Sequence, residues 1–199
     1  MELAGKDLTC ERGGRIVFRN VSLSLKPHQL MQLTGPNGSG KSSLLRLIAG
    51  LNEAQAGSIA LEGGSDDLTI GQQAHYIAHQ EAVKAALTVF ENLEFWRGFM
   101  GGGDVGEALE AFDLTRLSSY PAGLLSAGQK RRLALARLVL VPRVLWLLDE
   151  PTVGLDTASL TRLVAVMEAH LTHGGMIIAA THVPLGREPD VRLDLWGRP

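Results

Sequence analysis

The sequence predicts an α/β fold in which a parallel sheet presents a phosphate-binding loop at the carboxyl ends of its strands. Residues 35–42 read Gly-Pro-Asn-Gly-Ser-Gly-Lys-Ser, which is a complete P-loop. An apolar run at 30–34 precedes this loop, and apolar residues at helical spacing follow it up to Gly50, which is placed to end the helix. Residues 144–148 and 176–180 are short, continuous apolar runs, typical of parallel strands buried on both faces.

The remaining elements extend this pattern. Residues 3–10 and 21–25 partly alternate apolar and polar side chains, which predicts antiparallel strands near the N-terminus. From 83 to 136 the pattern turns helical, with a break at the triple glycine 101–103, and this predicts a helical insertion. Further predicted elements are strands at 57–61 and 75–78, a helix at 157–171 and an edge strand at 190–195.

Composition limits the class of protein. The chain has 199 residues, of which 45% are hydrophobic and 20% charged, so we expect one globular domain over residues 1–199. A net charge of −2 gives no reason to expect direct nucleic-acid binding, and the single Cys10 cannot form an intrachain disulfide. The most apolar stretch, 133–148, is interrupted by Arg137 and Pro142. We therefore expect no membrane span and no targeting segment, and any membrane role would require a partner.

The P-loop residues are suited to holding the phosphates of a nucleoside triphosphate. The glycines let backbone N–H groups turn toward the phosphates, and the helix that follows offers the positive end of its dipole. Lys41 supplies a charge to the β- and γ-phosphates, and the Ser42 hydroxyl can ligate Mg²⁺. The predicted nucleotide-binding residues are Gly35, Pro36, Asn37, Gly38, Ser39, Gly40, Lys41, Ser42 and Ser43.

Two adjacent carboxylates end an apolar predicted strand. Burying unpaired charge is costly, whereas the carboxyl end of a parallel strand is where ligands bind in such sheets. We therefore expect Asp149 to hold Mg²⁺ through water, and Glu150 to orient the attacking water or accept its proton. The alternative is an exposed strand end that leads into a turn at Pro151.

A third motif lies between the P-loop and these carboxylates. Residues 125–129 read Leu-Ser-Ala-Gly-Gln and precede a strongly helical pattern that starts with the basic run 130–132. Ser126 is a suitable N-cap, but a cap alone leaves Gly128 and Gln129 unexplained. We expect this helix start to bind the γ-phosphate of ATP on a second copy of the chain, and we interpret the basic run as a solvated helix face.

Two single residues are placed to complete the site. Gln80 follows a predicted strand and precedes the helical insertion, so it can contact Mg²⁺ and the attacking water. From this position it can also couple nucleotide occupancy of the site to the insertion. His182 follows the strand at 176–180, next to the strand that ends in Asp149, and can contact the γ-phosphate. No role is assigned to the histidines at 75, 79, 170 and 173.

With these motifs in this order, the chain resembles ABC-transporter nucleotide-binding subunits over essentially its whole length. The resemblance rests on 35–43 as Walker A, Gln80 as Q-loop, 125–129 as signature, 144–150 as Walker B, 154–156 as D-loop and His182 as H-loop. It implies an ABC-ATPase form of the P-loop NTPase fold, with a RecA-like parallel core sheet, an N-terminal antiparallel β part and a helical subdomain inserted at about 83–136. It also implies a head-to-tail homodimer that sandwiches ATP and Mg²⁺. In that dimer Glu150, His182 and Gln80 are catalytic, Ser126, Gly128 and Gln129 contact the nucleotide, and Ser42, Gln80 and Asp149 hold the metal.

A narrower likeness connects the chain with the ATP-binding subunits of the bacterial cytochrome c maturation exporter, often called the haem exporter. Residues 87–96 and 181–185 carry it, together with the small size of the chain. The likeness implies an ATPase peripheral to the cytoplasmic face of the bacterial inner membrane. Such an ATPase drives integral membrane subunits, either in haem export or in release of a haem-loaded chaperone. No Cys-x-x-Cys-His motif occurs, so these residues do not reveal the transported substrate.

Two positions depart from the family pattern. Ala127 stands where the first glycine of the signature is usual, although Gly128 is kept. Register places Arg12 where an aromatic residue normally stacks on adenine, and Phe18 is the alternative for that contact.

Two other functions compete with this interpretation. Soluble, non-transport ABC ATPases that act on ribosomes or DNA usually carry two such domains, long coiled coils or basic tracts, and this sequence has none of these. A simple P-loop kinase would leave residues 125–129 and His182 unexplained.

Overall fold

Two β-sheets organise the protein, whose computed structural model describes residues 1–195. The antiparallel sheet has the strand order β2-β1-β4 and consists of β1 (Glu2–Arg12), β2 (Arg15–Leu25) and β4 (Ala56–Glu62). The other sheet is parallel and consists of β3 (Leu30–Thr34), β5 (Ala74–Ile77), β6 (Leu145–Asp149), β7 (Met176–Ala180) and β8 (Val191–Asp194). Its strand order is β5-β6-β7-β3-β8, with every neighbouring pair parallel.

Five α-helices occur in the part of the chain that the structure describes: α1 (Lys41–Ile48), α2 (Val89–Met100), α3 (Val105–Ala111), α4 (Ala127–Leu140) and α5 (Thr157–Thr172). The predicted helical segment 83–136 contains α2, α3 and most of α4. Helix α4 continues to Leu140 because helix-compatible residues run up to Pro142, which disfavours helical backbone in the residue before it. None of the helices in residues 1–195 is long and apolar enough to cross a membrane.

The parallel sheet is buried on both faces. Trp146 and Leu148 of β6 pack into the cluster formed with the helical segment, whereas Leu145 and Leu147 pack toward α1 and the antiparallel sheet. Successive side chains of a strand point to opposite faces, so a continuous apolar run fills both clusters. The α/β fold with a parallel core sheet and an antiparallel N-terminal part is thereby confirmed.

One strand is much longer than predicted, whereas the boundaries of the others shift by at most two residues. The strand predicted at 21–25 is the second half of β2, which already begins at Arg15. The Gly13–Gly14 turn, with both glycines at positive φ, returns the chain onto β1, where Phe18 pairs with Cys10 and Ile16 with Glu11. This register brings the first half of β2 against the P-loop.

Candidate functional site

The P-loop follows β3 directly and leads into α1, whose first residue is Lys41. Gly40 caps this helix with a φ of 100°. A Cβ on Gly40 would lie 2.7 Å from Val17 Cγ1 and 2.8 Å from Phe18 Cδ1, closer than real contacts allow. The loop therefore lies directly on β2, and this position requires glycine for both its backbone conformation and the space available.

Lys41 is buried, with its Nζ donating to the carbonyl oxygens of Gly35 at 2.7 Å and Pro36 at 3.2 Å. Its third contact is His182 Nε2, at 2.9 Å. None of the ion pairs found within residues 1–195 involves Lys41. A buried ammonium whose partners are dipoles, without a carboxylate, is suited to binding an anion.

The two predicted carboxylates lie at the end of β6. Asp149 is its last residue and is buried, and Glu150 follows in a left-handed conformation with a φ of 48°. The Glu150 N–H donates to Ala180 O at 2.8 Å, which ties this strand end to β7. Both residues line the same cavity as the P-loop, so the structure brings these two motifs together.

That cavity has a volume of about 540 Å³ and combines backbone donors, hydroxyls, a lysine and two carboxylates. Its lining residues are Arg12, Val17, Asn37, Gly38, Gly40, Lys41, Ser42, Ser43, His79, Asp149 and Glu150. Arg12 and Val17 come from β1 and β2 and form the side expected for the base of a nucleotide. Phe18 is fully buried in the core, so the alternative that it stacks on adenine is wrong.

The predicted Q-loop residue lies at the edge of this cavity. Gln80 is exposed just beyond the end of β5 and is not among the lining residues, whereas its neighbour His79 is. Sequence reasoning gave His79 no role, and a single histidine offered no signal that could have found it. The structure therefore does not bring Gln80 together with the P-loop and the two carboxylates.

The predicted signature begins α4 with a capping box. Ser126 Oγ accepts from Gln129 N at 3.2 Å, and Gln129 Oε1 accepts from Ser126 N at 2.8 Å. A Cβ on Gly128 would lie 2.9 Å from Gly154 O, so the signature glycine packs against the predicted D-loop. Within the described part of the chain, none of residues 126–129 lines the P-loop cavity.

The predicted D-loop ends at the N-cap of α5. Asp156 Oδ1 accepts from Ser159 N at 2.8 Å. Hydrogen bonds to Ser159 hold the pKa of the Asp156 carboxyl below its usual range. The Asp156 carboxylate is therefore the N-cap of α5.

The interpretation of residues 130–132 as a solvated helix face is wrong. Arg131 is only 2% exposed, and its guanidinium reaches the ends of β5 and β6. Arg132 is partly buried and bonds to the carbonyls of Phe112 and Asp113. Charge alone suggested solvation, but carbonyl groups from other elements of the fold surround both side chains.

The hydrogen-bond donors and the metal-binding oxygens of this cavity fit ATP with Mg²⁺. Lys41 and the Ser42 and Ser43 hydroxyls line the cavity and offer donors for phosphate oxygens, whereas Ser39 Oγ is a buried hydroxyl without a partner in residues 1–195 and does not line it. Ser42 and Asp149 supply one hydroxyl and one carboxylate. No group of three His, Cys, Asp or Glu side chains suited to a metal occurs in the part of the chain described. Mg²⁺ fits this sparse set because it binds through one or two carboxylates together with substrate phosphates.

These features define a P-loop ATPase that carries the signature of the ABC class. The sequence profile of the ABC transporter family matches residues 18–153. The chain belongs to this family and is an ABC ATPase, a class of enzyme that binds and hydrolyses ATP with Mg²⁺.

Known relatives agree with this assignment. The cytochrome c biogenesis ATP-binding export protein CcmA of Nitrobacter winogradskyi is 53% identical over 188 residues, which cover 94% of this chain and 94% of that protein. A solved ATP-binding subunit of an ABC transporter is 26% identical with a TM-score of 0.88, covering 98% of this chain and 85% of that one. A dimeric ATP-binding cassette in a post-hydrolysis state, bound to ADP and Pi, is 25% identical with a TM-score of 0.79, covering 91% of this chain and 88% of that one.

Proposed function

We propose that this chain is the ATP-hydrolysing, energy-coupling subunit of an ABC export complex that acts in cytochrome c biogenesis, and that residues 1–199 form one ATP-binding domain. The relative from Nitrobacter winogradskyi supports the biological assignment, because its similarity to this chain covers nearly all of both proteins. One observation carries the mechanism. The cavity takes its P-loop and carboxylates from one chain, while the signature residues 126–129 of the same chain lie outside it.

In the proposed mechanism two copies assemble head to tail. Each ATP binds the P-loop of one copy and Ser126, Gly128 and Gln129 of the other, an arrangement supported by the dimeric relative that holds ADP and Pi. Ser126 can still donate its hydroxyl proton to a phosphate, because in the capping box its oxygen acts only as an acceptor. Closure of the dimer then depends on ATP, and by linkage ATP affinity depends on closure.

Hydrolysis requires a base and a stabilised phosphoryl group. Glu150 accepts the proton of the water that attacks the γ-phosphorus, and ADP leaves as the bond to its β-phosphate oxygen breaks. Lys41 and the P-loop N–H groups bind the phosphate oxygens, and His182 contacts the γ-phosphate. Ser42, Asp149 and Gln80 are the residues that would hold Mg²⁺, which when bound neutralises charge on the β- and γ-phosphates.

An exposed aromatic surface on α2 is the proposed contact with integral membrane subunits. Phe90, Phe95 and Phe99 are exposed, and Phe99 is 75% accessible. The ring centroids of Phe95 and Phe99 are 6.4 Å apart in a stacked arrangement, and Trp96 packs edge-on against both. Arg137 supports Trp96 from beneath, with its guanidinium carbon 3.8 Å from the ring centroid. Large exposed apolar patches mark interaction sites, and a helix of the membrane subunit fits such a surface.

In this proposal the chain is peripheral to the cytoplasmic face of the bacterial inner membrane, as a homodimer that does not bind nucleic acid directly. The exported species is haem, or the energy releases a haem-loaded chaperone. Substituting Phe99 by Ser should weaken co-purification with the membrane subunits while leaving the ATPase activity of the isolated protein unchanged. Leu51→Ser, at another exposed apolar position, is the matched control.

Complementation between two inactive variants tests the shared site. Lys41→Ala disables the P-loop, and Ser126→Arg places a bulky side chain where the signature would meet the partner's ATP. Neither variant alone should hydrolyse ATP. A mixture should regain activity, because each heterodimer combines the intact P-loop of one chain with the intact signature of the other.

A capping control separates this effect from misfolding. Thr88 caps α2 with the same kind of capping box, through Glu91. Thr88→Arg therefore loses a comparable helix cap away from the nucleotide, and we expect it to hydrolyse ATP normally. If mixed Lys41→Ala and Ser126→Arg preparations stay inactive although heterodimers form, the site is not shared and the proposal fails.

A further inference from the structure

Arg131 is a buried cation whose partners are all main-chain carbonyl groups. Its guanidinium donates from Nη1 to Ala78 O at 2.9 Å, from Nη2 to Asp149 O at 3.0 Å and Glu150 O at 2.7 Å, and from Nε to Pro151 O at 3.3 Å. No carboxylate within residues 1–195 forms an ion pair with it. The carboxylates of Glu81, Asp149 and Glu150 lie near enough to favour its charge, but its hydrogen bonds go to main-chain carbonyls, so they act on the main-chain geometry.

The four carbonyls belong to two segments that form the nucleotide site. Ala78 precedes His79, which lines the cavity, and Gln80, the predicted Q-loop residue. The other three carbonyls are consecutive, running from the end of β6 through Glu150 into the following turn. Arg131 itself lies in the second turn of α4, behind the signature at the helix start. One side chain thus fixes the main chain on two sides of the cavity.

The Glu150 main chain is the segment that most needs such support. Its φ of 48° lies in the left-handed region, which residues other than glycine, asparagine and aspartate avoid. The N–H is held by Ala180 O at 2.8 Å, and the carbonyl by Arg131 at 2.7 Å. Because φ sets the direction in which the Cα–Cβ bond leaves the main chain, these two bonds also set the direction in which the Glu150 side chain leaves β6 at the cavity.

We propose that Arg131 is a positioning residue for hydrolysis: by binding the Asp149 and Glu150 carbonyls it holds Glu150 in the left-handed conformation that directs its carboxylate at the attacking water. The inference rests on the proposed role of Glu150 as the base. Arg131 is not among the residues that line the cavity, so it acts through main-chain geometry. The P-loop is not among its partners, so ATP affinity does not depend on it.

Substitution at Arg131 should therefore separate turnover from binding. For Arg131→Met we expect kcat to fall by about 100-fold, as misplacement of a catalytic group by an ångström can cause, with the KM for ATP changed by less than about threefold. Arg131→Lys keeps the charge but not the fork of donors, and should lie between wild type and Met. Arg132→Met is the matched control, since Arg132 is the next residue on the same helix and also donates to main-chain carbonyls, those of Phe112 and Asp113, away from the cavity. We expect that control to lose thermal stability but keep its kcat.

Amide hydrogen exchange provides a second readout that does not depend on turnover. In Arg131→Lys and Arg131→Met we expect the amide of Glu150 to exchange faster, while that of Leu147 within β6 keeps its protection. Faster exchange along all of β6 would indicate a general loss of packing and would overturn the proposal. If the Met variant does not fold, the Lys variant carries the test.

Heterodimers show which half of the shared site Arg131 serves. In one pairing, Arg131→Met is in the chain whose P-loop and Glu150 form the single live site, and the partner carries Lys41→Ala. In the other pairing, Arg131→Met and Lys41→Ala are in the same chain and the partner is wild type. The single live site then combines the wild-type P-loop and Glu150 with the signature of the Arg131→Met chain. The defect should appear in the first pairing alone.

A defect in the second pairing instead would assign Arg131 to the signature, and unchanged kcat in folded Arg131→Met would remove it from catalysis. Either result overturns the proposal. Glu150→Gln tests the base role of Glu150 separately. Persistent turnover in Glu150→Gln would refute that role, whereas unchanged kcat in Arg131→Met would refute only the positioning role of Arg131.

Discussion

Lys41 Nζ lies 2.9 Å from His182 Nε2, and this contact joins the P-loop to the residue two beyond the end of β7. An ammonium group only donates, so the imidazole accepts at Nε2. Phosphate oxygens form stronger, charge-assisted bonds with lysine than a neutral ring does. We therefore expect the phosphates of bound ATP to replace His182 as a partner of the Lys41 ammonium. His182 can then contact the γ-phosphate.

Replacing Lys41 with alanine should weaken nucleotide binding. The substitution removes the buried cation of the cavity, and we expect ATP affinity to fall by about 100-fold, which is the scale of one or two lost charge-assisted hydrogen bonds. Calorimetric titration with ATP measures the change. Lys6→Ala on the exposed surface of β1 is the control, and equal affinities for the two variants would contradict the P-loop assignment.

The Glu150→Gln variant should bind ATP but not hydrolyse it. The amide preserves the size of the side chain and removes the base, so kcat should fall by at least about 100-fold. A dimer should accumulate on size-exclusion chromatography with ATP, because reopening requires hydrolysis. Glu168→Gln on α5, which loses only an ion pair with Arg187, is the control. Persistent turnover in Glu150→Gln would assign the base to another group.

The His182→Ala variant should lower turnover more than affinity. Lys41 keeps its bonds to the Gly35 and Pro36 carbonyls, so the P-loop still binds phosphate. The lost γ-phosphate contact should reduce kcat by about tenfold or more. Steady-state kinetics with His173→Ala as control separate the two effects, since within residues 1–195 the His173 side chain bonds only to Ala169 O, four residues before it. A variant with reduced affinity and normal kcat would contradict this role.

Acid stability should depend on two buried histidines. Burial lowers the pKa of His75 to about 3 and that of His170 to about 4. The unfolded chain binds protons below about pH 6.5 and the folded chain does not, so stability is lost as pH falls from 6.5 toward 4. Each histidine contributes a slope of up to about 1.4 kcal/mol per pH unit.

The His75→Gln variant should flatten this acid loss. Glutamine can still donate to Val141 O, which His75 Nε2 contacts at 2.6 Å, but it does not titrate. The free energy of unfolding, measured with urea at pH 7, 6 and 5, should fall with pH at about half of the wild-type slope. His170 is responsible for the slope that remains. The exposed His173→Gln is the control. An unchanged slope in His75→Gln would show that His75 is protonated in the folded protein.

Sequence patterns predicted most elements that carry the site. The apolar runs at 144–148 and 176–180 became β6 and β7 with shifts of at most one residue. The P-loop begins α1 at Lys41, and Ser126 caps α4, as their local residue types indicate. These features depend on neighbours within one turn of helix or one strand, so periodicity and capping preferences were enough to find them.

The order of the motifs and the chemistry of each could be predicted from the chain, because a P-loop, a strand ending in two carboxylates and a capped helix are encoded by adjacent residues. That Phe18 lies in the core and that Arg131 is buried against the Glu150 main chain became visible in the folded protein alone. Burial of a cation depends on carbonyl groups that distant strands bring together. Charge in the sequence is the same whether the folded chain surrounds an arginine with water or with main-chain oxygens.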